Sequence, residues 1–76
     1  MNKNFEQVKQ QILNAEINPF EIYNELSNVI QFELRTTKEI ADKIITNAVV
    51  NYPVDLAGQM RDIEYRIEKI IEMKYK

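Results

Sequence analysis

The chain has 76 residues, with 12 acidic and 10 basic side chains and a net charge of −2. It contains no cysteine and no histidine, which excludes disulfides, thiol chemistry, cysteine or histidine metal sites and hydrolytic triads built on histidine. The acidic balance argues against a nucleic-acid partner, because such binders carry a basic excess, and no apolar run reaches the length of a membrane span.

A chain of this length makes a single domain, read here as residues 1–76, with a thin core. The start, Met1-Asn2-Lys3-Asn4-Phe5-Glu6, has no apolar stretch behind a basic residue, so no secretory signal is expected and the protein is read as cytoplasmic. One glycine and two prolines leave little material for β-turns. The frequent Ile, Asn, Lys and Glu match the usage of an AT-rich coding genome, such as that of a low-GC bacterium or its phage.

The first predicted helix runs from Asn4 to Ala15. Phe5, Val8, Ile12 and Ala15 recur at helical spacing, Leu13 widens the stripe, and Lys9, Gln10 and Asn14 are expected to face out.

The second start is the best marked in the chain. Asn18 is a cap and Pro19 suits the first helical position. Glu21 stands three residues after the cap, as in a capping box, and Ile17 with Ile22 occupy the two positions of a hydrophobic staple. Ile22, Tyr23, Leu26, Val29, Ile30 and Phe32 follow, and the helix is expected to end near Leu34. They cover more than one narrow face, which places this helix mid-bundle or against another chain.

The third helix is expected to open with a capping box at Thr36-Thr37-Lys38-Glu39. Ile40, Ala41, Ile44, Ile45, Ala48 and Val49 form its stripe, and Glu39 with Lys43 a surface pair. Pro53 pushes the residue before it out of the α region, so the helix should stop near Asn51-Tyr52.

The fourth helix is expected from Pro53 or just after Asp55 to Lys74. Leu56, Met60, Ile63, Ile67 and Ile70 recur at alternating spacings of four and three, a heptad seam. Asp62 with Arg66, and Glu72 with Lys76, are expected i, i+4 pairs. Gly58 weakens the first turn or permits a close helix crossing.

The predicted fold is therefore all-α, a compact bundle of three to four helices with short loops and the C-terminal helix longest. Its expected core comprises Phe5, Val8, Ile12, Ile22, Leu26, Ile30, Ile40, Ile44, Ala48, Leu56, Met60, Ile63 and Ile67.

The stretch Thr36-Thr37-Lys38-Glu39-Ile40-Ala41-Asp42-Lys43-Ile44 resembles the first helix of a helix-turn-helix, with alanine at the tight crossing. The resemblance covers these nine residues. It implies a glycine or another turn former a few residues after Ala41, then a recognition helix. The chain continues instead with Ile45-Thr46-Asn47-Ala48-Val49-Val50, and the next helix mixes Arg61 and Arg66 with Asp62, Glu64 and Glu68.

Glu64, Glu68 and Glu72 share a helical face, a solvated acidic stripe or a row that meets a basic partner. Without a matching pattern on a second helix they do not make a di-metal site. Ile67, Ile70, Ile71, Met73 and Tyr75 end the last helix, and they are exposed if that helix projects beyond the others. Tyr23, Tyr52, Tyr65 and Tyr75 have no activating neighbour in the sequence and read as structural.

No catalytic residue, metal ligand or cofactor is expected. The leading expectation is a non-catalytic interaction module, a small regulator or inhibitor of the kind phages and mobile elements encode. It would bind another protein or its own copy as a homodimer. The expected partner-binding residues are Glu64, Ile67, Glu68, Ile70, Ile71, Glu72, Met73 and Tyr75. The alternative is a small helix-turn-helix-like DNA-binding regulator.

Overall fold

The computed structural model describes residues 4–74. Four α-helices follow one another: α1 (Phe5–Leu13), α2 (Ile22–Leu34), α3 (Lys38–Asn51) and α4 (Leu56–Lys74). A 3₁₀ turn over Pro19–Glu21 leads into α2. At 19 residues, α4 is the longest helix and spans about 28 Å.

Each start has a local cause. Asn4 caps α1 and forms a reciprocal box with Gln7, the side chain of each accepting from the other's backbone amide. Asn18 Oδ1 accepts from the Phe20 amide at 2.9 Å, and the Glu21 amide donates to the Asn18 carbonyl. Asn18 thus opens a 3₁₀ turn rather than the expected capping box, while Ile17 and Ile22 both lie half-buried against the core as a staple requires. Thr37, one residue later than expected, caps α3 by accepting from the Ile40 amide. Asp55 caps α4 through Gly58, whose amide donates to Oδ1 at 3.0 Å.

The shift from Thr36 to Thr37 follows from how α2 ends. Arg35 adopts the left-handed conformation at φ 51°, and the Thr36 amide donates back to the Gln31 carbonyl. Thr36 is therefore used in closing α2. Helix α1 ends the same way, with Ala15 at φ 58° and the Glu16 amide donating to Gln11. Both are Schellman closures, with a side-chain-bearing residue where glycine is usual.

Helices α2 and α4 touch each other and both remaining helices, whereas α1 and α3 lie on opposite sides and do not meet. The apolar breadth of α2 is thereby used inside the bundle. Phe5, Val8 and Ile12 meet Leu26, Val29, Ile30 and Leu34, then Ala41, Ile44, Ile45 and Ala48, then Met60, Ile63 and Ile67. Ile40 and Leu56, expected in the core, are exposed, and Ile22 is half-buried. Val29, Leu34, Ala41 and Ile45 are core members outside the expected set.

The topology is up-down-up-down. One end, the loop end, gathers the α1–α2 and α3–α4 connections. The opposite end holds the α2–α3 turn, the start of α1 and the end of α4. There the Phe5 amide donates to Glu33 Oε1 at 2.7 Å, placing a carboxylate at the α1 N-terminus, where the helix dipole favours it. Lys74 Nζ donates to the Leu34 carbonyl at 2.6 Å and so satisfies a C-terminal group of α2. Among the described residues no helix is long and apolar enough to cross a membrane.

Candidate functional site

The far end of α4 is largely absorbed by the fold. Ile67 is buried, and Ile70 and Ile71 are partly buried against the core. Glu64 accepts from Lys9 of α1 at 3.0 Å, and Lys9, expected to face out, is a mostly covered ion-pair bridge that also reaches Glu6. Glu72 lies 3.9 Å from Lys69. The acidic row is thus interrupted by cations, and of the expected partner-binding residues Glu68, Glu72 and Met73 are exposed. Tyr75, and Lys76 of the expected Glu72 pair, lie outside the described residues.

The stretch resembling a helix-turn-helix opener lies mostly in α3, which runs unbroken to Asn51 with Ala41 fully buried. On the neighbouring face of α4, Arg66 pairs with Asp62 and lies against the Asn47 side-chain amide of α3, which accepts from the guanidinium when its oxygen is turned toward it. Glu39 and Lys43 form the expected surface pair at 3.8 Å.

The loop end differs from the rest of the surface. Phe20 stands 94% exposed on the 3₁₀ turn, and Val54 is 99% exposed between α3 and α4. Leu13, Tyr23, Val50, Tyr52 and Leu56 are further exposed apolar or aromatic side chains on the same end. Local chain geometry holds them out. Phe20 falls between the Asn18 cap and the staple residue Ile22, off the buried stripe of α2. Val54 follows Pro53, in a turn closed by the Asp55 amide donating to the Tyr52 carbonyl.

A hydrogen-bonded polar clasp ties this end together. Tyr23 Oη donates to Gln59 Oε1 at 3.1 Å, and Gln59 Nε2 donates to the Tyr52 carbonyl at 2.7 Å. Gln59 is buried with every polar atom satisfied. Beside the clasp, Tyr23, Ile45, Thr46, Val49 and Val50 line an open groove of about 430 Å³ between α2 and α3, with Asp42 at its lower edge. Asp42 accepts from Lys38 at 2.6 Å and from Ser27 at 2.9 Å, and these two donors hold its carboxyl below the ordinary carboxylate range.

Charge is partitioned along the bundle. From Gln10 to Leu34, and again from Ile44 to Met60, the chain has no lysine or arginine. Both stretches pass through the loop end, where they bring Glu16, Glu21, Glu25 and Asp55; the first runs on through α2 to Glu33 at the opposite end, and Arg61 follows the second in α4. Elsewhere, Glu6, Glu39, Asp42, Asp62, Glu64 and Glu72 all have a cation within 4.0 Å. Among the described residues no group of three or more carboxylates converges as a metal site.

None of the loop-end residues was among those expected to bind a partner. The signal was nevertheless in the sequence: two long stretches without a cation, each spanning a proline-marked turn with an apolar residue beside the proline. Periodicity hides it, because it ranks residues by their fit to a helical stripe, and Phe20 and Val54 fit none. Comparisons with protein families, with characterised proteins and with solved structures find no match to this chain.

Proposed function

We propose that the protein is a non-catalytic interaction module that docks another macromolecule on its loop end, acting stoichiometrically as a small regulator or inhibitor. The observation that carries this reading is the grouping of exposed apolar side chains there, led by Phe20 and Val54. Scattered apolar residues are ordinary on a protein surface, but several gathered at one end point to a contact surface. The clasp of Tyr23, Gln59 and Tyr52 holds that surface in one shape, which lowers the ordering cost of binding.

The charge pattern supports protein docking over the DNA reading. The exposed apolar side chains lie on the two stretches without lysine or arginine, while Lys9 is paired with Glu64 and the half-exposed Arg66 with Asp62.

Photo-crosslinking in the producing cell tests the proposal. A benzophenone amino acid replaces Phe20 in one variant and Phe32, exposed on another part of the surface, in a second. Adducts from position 20 and not from position 32 support docking on the loop end. Equal adducts from both, or none from position 20, overturn it.

A further inference from the structure

Resting on the docking reading above, we infer that the loop end receives a basic amphipathic helix of another protein, one carrying lysine or arginine beside leucine-class side chains. The apolar group supplies the area to be buried, and the Tyr23–Val50 groove a slot for one anchoring side chain. Three carboxylates select the partner's charge. Among the described residues Glu16, Glu21 and Glu25 take part in no ion pair, and the stretch of chain from Gln10 to Leu34 that carries them has no lysine or arginine. Asp55 adds a fourth negative charge while capping α4.

The same charges argue against the other occupants. A second copy docked by this face would set like carboxylates against one another across a two-fold axis. An anionic membrane surface and a nucleic-acid backbone are repelled for the same reason. A basic helix meets no such penalty. Its lysines reach the carboxylates while its leucines cover Phe20, Val50 and Val54, and opposite charge speeds encounter and fixes orientation.

The test uses two labelled helical peptides of equal length and identical leucine pattern, one with lysine and one with glutamate on the polar face. Each is titrated with the full chain by fluorescence anisotropy at low and physiological salt. The lysine peptide should bind and the glutamate peptide should not. E16Q/E21Q/E25Q should weaken the lysine peptide by about tenfold and flatten its salt dependence. F20S/V54S, with charge unchanged, should weaken it by about tenfold or more.

Failure of the partner class and failure of the docking reading give different results. If the lysine peptide does not bind, or E16Q/E21Q/E25Q binds it as tightly as the wild type, the basic partner is overturned. If light scattering shows a dimer that F20S/V54S dissolves, the occupant is a second copy, and this inference falls while the docking surface stands. If lysine-peptide binding is indifferent to F20S/V54S, the docking surface falls with it.

Discussion

Tyr23 and Gln59 join the first turns of α2 and α4, the tyrosine hydroxyl donating to the buried glutamine oxygen at 3.1 Å. Gln59 passes the connection on to the Tyr52 carbonyl at the end of α3. The ends of three helices thus meet in one satisfied polar network at the loop end. Removing different members should have unequal effects. Tyr23→Phe leaves the buried Gln59 Oε1 without its donor and should cost about 1–3 kcal/mol. Gln59→Leu removes both hydrogen bonds together, while the exposed Tyr23 hydroxyl turns to water and the Tyr52 carbonyl keeps the Asp55 amide, so it should cost less, about 0.5–1.5 kcal/mol. Urea denaturation of both variants checks the order, and a larger loss for Gln59→Leu would contradict it.

Gly58 is a second point of constraint at this end. A Cβ there would lie 2.6 Å from the Tyr52 ring and 2.6 Å from Asp55 Oδ2. Alanine is favoured over glycine by about 1 kcal/mol in an ordinary helix interior. Here Gly58→Ala should nevertheless destabilise the protein, because the ring and the capping carboxylate must both shift. A higher melting temperature for Gly58→Ala would show that the ring yields freely.

Ala15 closes α1 at φ 58°, in the left-handed region that glycine adopts without steric cost. Ala15→Gly should raise stability by about 1 kcal/mol, since a β-carbon in this conformation costs roughly 1–2 kcal/mol. Thermal melting of the single variant checks this, and a fall in midpoint would contradict it.

Two ion-pair groups set opposite pH limits. Lys38 and Ser27 lower the Asp42 pKa on folding, so this contribution is present above the unfolded carboxylate pKa. It is lost as pH falls through the lower folded value. Glu64 and Glu6 raise the Lys9 pKa, so that contribution is complete below the unfolded lysine pKa and is lost as pH rises through the folded one. Asp42→Asn should therefore flatten the acid side of the stability profile and leave the alkaline side alone, whereas Lys9→Met should flatten the alkaline side and, because Lys9 also helps to lower the Glu6 pKa, part of the acid side as well. Denaturant midpoints across pH would contradict this if Asp42→Asn changed the alkaline limb or Lys9→Met left it unchanged.

The fold was legible where apolar spacing and caps agreed. Phe5, Val8 and Ile12, the Asn18-Pro19 start and the seam of Met60, Ile63 and Ile67 all stand where spacing puts them. The errors have local causes. Thr36 carries the capping signal equally well, but the left-handed Arg35 draws its amide back into α2 and leaves the cap to Thr37. Ile40 and Leu56 match the helical period but stand in first turns, where fewer neighbours can cover them. Whether the isoleucines of α4 project depended on packing that periodicity does not encode, and Ile67, Ile70 and Ile71 lie against the core. The loop end was legible only as charge distribution along the chain.

The central claim is that Phe20 and Val54 serve contact with another molecule rather than the fold. The most direct measurement is the urea midpoint of F20S/V54S against the wild type. Both side chains are almost wholly exposed, so stability should stay within about 0.5 kcal/mol of the wild type. A loss of about 1.5 kcal/mol or more, the worth of a buried apolar side chain, would mean that these residues pack into the fold and that the loop end is no free surface.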